Sequence, residues 1–412
     1  MEKINFYLDK IFLFLIISLP IGLLISSGVS ETIQILIIII FLATSIYKKD
    51  FDWLKNKYFL LLSIIWISLL LNLLFSQNFI LSFSRNFFFF KNIIFVFAVS
   101  LFLKKNKNFN IIFNAYLIIT AIVAFDIFFE YFNHKNIFGF QSYDPSRIAS
   151  FLGKELKIGH FVLGFSFITL GYFFEKYLNK KKIIKILGLI LIVAFFISLL
   201  LTGERANSLK GFFIALMFIV FSKKEIFKYK KIFFTAIILL TVGIYFFSEK
   251  IKYRFNVILD PIKNIGIIDS FKETQHAAHY YTAFKIFQNY PIFGVGNKNF
   301  REECLKEEYK NNDYKRIAER CATHPHQIYF ELLSEHGLIG TIVIISVIFF
   351  ILYKSFKIYL MNKNSIHLAS ILFIIAQFLP IIPSGSFFTS WGATIFWLNF
   401  SILIFYNNKN YI

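Results

Sequence analysis

The sequence predicts an all-α protein: a polytopic integral membrane helix bundle of about twelve transmembrane helices with one large extracytoplasmic loop. Three observations carry that expectation. Over 412 residues, 57% are hydrophobic and only 17% charged, far from the mix of a soluble domain of this length. Apolar runs recur at lengths suited to a hydrocarbon core about 30 Å thick, which a helix of about 20 mainly apolar residues crosses. Lysine-rich connections then alternate with lysine-poor ones, as they do when every second loop is cytoplasmic.

The expected spans occupy residues 11–27, 32–47, 58–75, 87–103, 111–132, 160–174, 183–201, 209–221, 232–247, 338–353, 366–382 and 387–406. No small-residue cleavage site clearly follows the first, so it reads as a retained helix. Lys48, Lys49, Lys55 and Lys57 follow the second span, and Lys104, Lys105 and Lys107 the fourth. Lys176, Lys180, Lys181 and Lys182 follow the sixth, Lys223, Lys224, Lys228, Lys230 and Lys231 the eighth, and Lys354, Lys357 and Lys363 the tenth. All follow even-numbered spans, which puts both termini in the cytoplasm and the odd-numbered loops outside. Residues 1–247 then form a first membrane bundle of about nine spans, 248–327 the large extracytoplasmic loop, and 328–412 about three closing spans.

A formal charge of +20 does not indicate a nucleic-acid partner here, because the basic residues sit between apolar runs rather than on one face. The 58 Phe residues fit an AT-rich coding sequence and carry no functional weight.

A connection as long as 248–327 is either functional or disordered. Ala277, Tyr280, Tyr281, Phe284 and Phe287 recur at helical spacing, which predicts an amphipathic helix over 274–289 suited to the membrane interface. Pro291, Gly294 and Gly296 then form a turn, and a charged stretch follows between Cys304 and Cys321. In an oxidising compartment two cysteines in one loop are expected to pair, adding roughly 3 kcal/mol of stability; two free thiols are the alternative.

The densest set of chemical side chains is Thr323-His324-Pro325-His326-Gln327, leading into Glu331 and Glu335. Proline disfavours helix for the residue before it, so the histidines lie in extended chain. Imidazole exchanges protons near neutral pH and suits general acid or base work. A metal site built from His324, His326, Glu331 and Glu335 is a competing reading, although the spacing matches no common zinc motif. A structural one also stands, with histidines at a wet interface and glutamates favoured by a helix amino end.

Arg85, Arg147, Arg205, Arg254, Arg301, Arg316 and Arg320 all map outside, against the positive-inside tendency. Arg205, in Thr202-Gly203-Glu204-Arg205, and Arg147, just before a span, are placed to grip phosphate through paired hydrogen bonds. Headgroup anchoring is the bland alternative for each.

Three stretches together resemble the O-antigen ligase and polymerase superfamily of polytopic glycosyltransferases: His324 to Gly340; Tyr280-Tyr281-Thr282-Ala283-Phe284 with Asn289-Tyr290-Pro291-Ile292-Phe293-Gly294-Val295-Gly296 and Asn299-Phe300; and the Thr-Gly-Glu-Arg turn. The resemblance implies transfer of a glycan from a polyprenyl-diphosphate carrier to a glycan, lipid A core or protein acceptor. It places the reaction at the periplasmic face of the bacterial inner membrane, with no cofactor, nucleotide sugar or required metal. It implies that His326 lies closest to the reacting acceptor hydroxyl, that His324 assists, that Arg147 and Arg205 hold the diphosphate leaving group, and that Arg85 also binds substrate, with Gln327, Glu331 and Glu335 in support. Two departures stand out: Gln327 replaces the family's common Asn, and His276 falls where an Arg is frequent. A transporter or flippase is the rival, with Asp126 and Glu130 as a candidate proton relay, although no internal repeat accompanies it.

Overall fold

The structure is a computed structural model describing residues 2–105, 109–177, 182–222 and 230–408. Lys107, Lys180, Lys181, Lys223, Lys224 and Lys228 lie outside the described residues. The described residues are helical with no strand, and a helix lies beneath each of the expected spans. Six are long and apolar enough on their own to cross a membrane: Phe6–Ile25, Ser27–Lys48, Phe79–Lys105, Asn110–Asn133, Ile158–Tyr177 and Ile328–Asn362. Four further apolar helices are shorter: Lys57–Leu73, Ile186–Leu201, Ile237–Phe247 and Ser365–Gln377.

Ile158–Tyr177 and Ser390–Asn407 are buried along nearly their whole lengths, so they form the middle of the bundle. Ile158–Tyr177 packs on Ser365–Gln377, and Ser390–Asn407 on Phe90–Lys105. Close approach depends on missing side chains: a Cβ on Gly171 would lie 2.6 Å from the Ser365 carbonyl oxygen.

Between the membrane helices, Glu249–Ile265, Ile267–Lys272 and Gln275–Asn289 give the 248–327 region its own structure. The expected helix over 274–289 starts at Thr274, whose hydroxyl accepts from Ala277 N at 3.1 Å, a standard N-cap. Its buried face differs from the apolar stripe in the sequence. Ala277, Ala278, His279, Tyr280, Ala283 and Ile286 are buried while Phe284 is exposed. The small alanines let the helix lie against Ile328–Asn362, and Tyr280 stacks on Phe330 with centroids 4.7 Å apart.

Ile328–Asn362 bends at Gly337, where φ is 61° and ψ −166°. Such a break orphans backbone groups that the i→i−4 ladder would otherwise pair. Residues 291–296 pair them instead. Val295 N donates to Ser334 O at 3.0 Å and Gly296 N to Glu335 O at 2.9 Å, while Leu338 N and Ile339 N donate to Pro291 O and Ile292 O. The other side of the segment is held by Asn72, whose amide donates to Phe293 O at 2.7 Å and Glu335 O at 3.1 Å.

Gly294 has φ +70°, and a Cβ there would lie 2.4 Å from the Glu335 carbonyl carbon. Gly294→Ala is therefore expected to lower stability by about 2 kcal/mol or more. Gly243→Ala, with nothing within 4 Å of the added Cβ, should be close to neutral. Thermal unfolding of both variants in detergent checks the contrast, and equal melting temperatures would contradict it.

Candidate active site

Arg147 is brought to the site by a loop tied at both ends to helix Asn110–Asn133. Asp126 accepts from Ile137 N at 2.8 Å and from the Ser150 hydroxyl, while Glu130 accepts from Ser150 N at 2.6 Å and Ala149 N at 3.3 Å. These carboxylates, read as a candidate proton relay, are occupied in holding the loop.

Next to it lies the 202–205 turn. Ile148 N donates to Thr202 O at 3.2 Å, and Gly203, at φ +71°, comes so close that a Cβ would lie 2.7 Å from Ser146 O. Glu204, 8% exposed, accepts from Gly159 N at 2.7 Å and Asn207 Nδ2 at 2.6 Å. Burial raises its carboxyl above the usual range, against the pull of Arg147. Arg205 donates to Arg254 O at 2.9 Å, and Arg254 Nε to Gly203 O at 3.3 Å.

His324 and His326 arrive from the other direction, ahead of Ile328–Asn362. Gln327 caps that helix, its Oε1 accepting from Tyr329 N at 2.8 Å and Phe330 N at 3.1 Å. Before the cap the chain turns sharply: His326 has φ +60°, and its carbonyl accepts from Ser384 N at 2.8 Å. Glu331 accepts from Phe387 N at 2.9 Å and from the Ser386 hydroxyl, and Glu335 from Phe300 N at 3.3 Å. Both glutamates thus brace neighbouring segments. Among the described residues no three His, Cys, Asp or Glu side chains are grouped to hold a metal ion.

The result is one cavity of about 610 Å³ whose lining includes Arg147, Glu204, Lys210, His276, His324 and His326. Arg205 is not among the residues lining it, although its neighbours Ala206 and Asn207 are. Arg85 does not join it. It lines a second cavity of about 530 Å³ with Glu31, Lys91 and Lys298, donating to Phe388 O at 2.9 Å.

The histidines form a cluster larger than the sequence suggested. The His326 centroid lies 4.2 Å from that of His324, 5.2 Å from His279 and 5.9 Å from His276. His279 is held by Glu319 O at 2.9 Å, which accepts from Nε2. Burial first, and the neighbouring imidazoles second, hold His326 down to about 3. Burial likewise lowers His324 and His276, each to about 4, and depresses His279. His276 is therefore an uncharged side chain at neutral pH where the resembled family often has a cation.

His276 and His279 sit one turn apart on one helix face, a spacing visible in the sequence. What brings them to His326 is the packing of Gln275–Asn289 on Ile328–Asn362. Lys210 carried no signal, since a lysine within an apolar run reads as a span boundary.

Residues 190–345 match the O-antigen ligase family. The matched stretch holds Arg205, Arg254, Lys210 and all four clustered histidines, and the match supports the resemblance to the O-antigen ligase and polymerase superfamily, a family of glycosyltransferase-like enzymes acting on lipid-linked glycans. Arg85 and Arg147 lie outside the matched O-antigen ligase region. No curated protein matches the chain.

Cys304 and Cys321 are joined as a disulfide, Cα–Cα 5.4 Å and 17 residues apart in sequence. Arg320 donates from Nε to Cys304 O at 2.9 Å, so the bridge and the arginine together hold the turn carrying Glu319. Cys304→Ser is expected to cost about 3 kcal/mol. Alkylation of protein from native membranes should label neither cysteine before reduction and both after it; labelling without reductant would remove the pairing.

The histidines also give stability a pH dependence. Their folded values lie below the unfolded value of about 6.5, so the unfolded chain binds more protons under acid conditions. Stability should be full above pH 6.5 and fall as pH drops toward 4, the largest losses coming from His324, His326 and His276. Melting temperatures in detergent across that range test this, and a triple His→Gln variant should flatten the slope.

Proposed function

We propose that this protein is an O-antigen ligase- or polymerase-type glycosyltransferase that moves a glycan from a polyprenyl-diphosphate carrier to an acceptor hydroxyl. The observation that carries the reading is the convergence of Arg147, His324 and His326 on one cavity, within a chain whose residues 190–345 match the O-antigen ligase family. The same match favours an enzyme over a transporter or flippase. In this reading the chain crosses the bacterial inner membrane about twelve times, with both termini cytoplasmic and the 248–327 region periplasmic.

Chemically, His326 takes the proton of the acceptor hydroxyl as that oxygen bonds to the anomeric carbon. The bond from this carbon to the carrier's diphosphate oxygen breaks, and the electron pair leaves with the diphosphate. Burial keeps the His326 imidazole neutral, hence able to accept a proton, and no hydrogen bond to its ring occurs among the described residues. His324 lies against it and orients the acceptor. Arg147, backed by Arg205 and Arg254, stabilises the charge that develops on the diphosphate. Arg85, in the neighbouring cavity, contributes to binding the donor or acceptor glycan. The acceptor is a glycan, a lipid A core or a protein, and no nucleic acid takes part.

His326→Ala should lower transfer in purified full-length protein by about a hundredfold or more while leaving donor binding largely intact. Transfer at the wild-type rate would refute the assignment.

A further inference from the structure

Lys210 is the most deeply buried charge in the cavity wall. It lies one turn into helix Arg205–Phe221 and is 1% exposed. With Ala206 and Asn207 it faces the cavity, as residues three and four apart on one helix do. Among the described residues its only hydrogen-bond partner is Gln377 Oε1, at 3.5 Å, the outer limit of a hydrogen bond, and no carboxylate pairs with it.

Other charges in the cavity have partners. Glu204, the only carboxylate among the lining residues, accepts from Gly159 N and Asn207 Nδ2. Lys157 pairs with Glu155 and lies over the Trp391 ring, 4.5 Å from its centroid. Arg147 donates from Nη2 to Leu156 O at 2.6 Å, yet its buried Nε has no partner. Two cationic groups from separate elements, Arg147 and Lys210, therefore line one cavity with hydrogen-bonding capacity that the protein leaves unfilled. A buried ammonium without a counter-ion is strongly unfavourable, so its natural complement is an anion entering the cavity.

We propose that Lys210 is a second diphosphate-binding residue: Arg147 holds one phosphate of the carrier and Lys210 the other. This rests on the glycosyl-transfer reading above and adds a residue and a specificity to it. The planar guanidinium suits paired contacts to one phosphate's oxygens, while the ammonium is a point charge for the next. The site should therefore distinguish a polyprenyl diphosphate from a monophosphate.

The test uses full-length protein in detergent with farnesyl diphosphate and farnesyl monophosphate as probes. Wild-type protein should bind the diphosphate more tightly. Lys210→Met should weaken diphosphate binding about tenfold, the scale of one charge-assisted contact, and leave monophosphate binding nearly unchanged, while Lys210→Arg keeps most of the preference. Lys210→Gln serves as a second variant should Lys210→Met melt early, and only variants with the wild-type melting temperature are compared. Retention of the wild-type preference by both neutral variants overturns the Lys210 assignment, and with His326→Ala inactive it leaves the transfer reading intact. If wild-type protein binds neither probe and His326→Ala transfers normally, both fall.

Discussion

The break in helix Ile328–Asn362 at Gly337 is the feature on which the site depends. Four backbone groups freed there find partners in residues 291–296, and those bonds clamp the loop region to the membrane bundle. An unpaired amide or carbonyl costs far more away from water than at a surface, so neither segment is stable in its conformation without the other. Everything nearby inherits this placement. Asn72 and Asn86 reach the clamp from the preceding helices, and Asn297 donates to Asn86 Oδ1 at 2.8 Å. The start of Ile328–Asn362 is thereby aimed so that His324 and His326 sit over the cavity.

A second constraint is electrostatic. The cavity combines cations with the imidazoles of His276, His324 and His326, and the two requirements reinforce each other. Burial and mutual proximity keep the imidazoles neutral, which suits a base, while Arg147 and Lys210 supply charge that does not depend on a histidine proton. Glu204 lines the cavity but its oxygens are taken by Gly159 N and Asn207 Nδ2; of the other nearby carboxylates, Asp126 and Glu130 secure the loop behind Arg147, and Glu331 and Glu335 brace the segments around the histidines.

Some of this was legible in the sequence. His324, His326 and Arg147 were singled out by residue type and position, and they do meet in one cavity. The amphipathic helix after Thr274 was expected at nearly its observed bounds, although its buried face is set by alanines and His279 rather than by Phe284. Arg85 was grouped with Arg147, yet the two line different cavities, a division no local pattern encodes. Gln327, Glu331 and Glu335 were expected in a supporting role, and their carboxylate and amide oxygens bond to backbone and hydroxyl donors.

By itself the sequence determined the helical membrane character, because hydropathy and lysine spacing are local properties that the bilayer reads directly. It also marked the turn at Pro291, Gly294 and Gly296, because proline stops a helix and glycine admits backbone angles that other residues avoid, whereas the break at Gly337 shows only in the structure. Only the tertiary structure decided which breaks face each other, which carboxylates are consumed as braces, that Lys210 and His276 share a cavity with His326, and that His279 packs against the His326 ring. Those outcomes depend on contacts between segments far apart in the chain, and burial, which sets the protonation of each group, exists only once they are made.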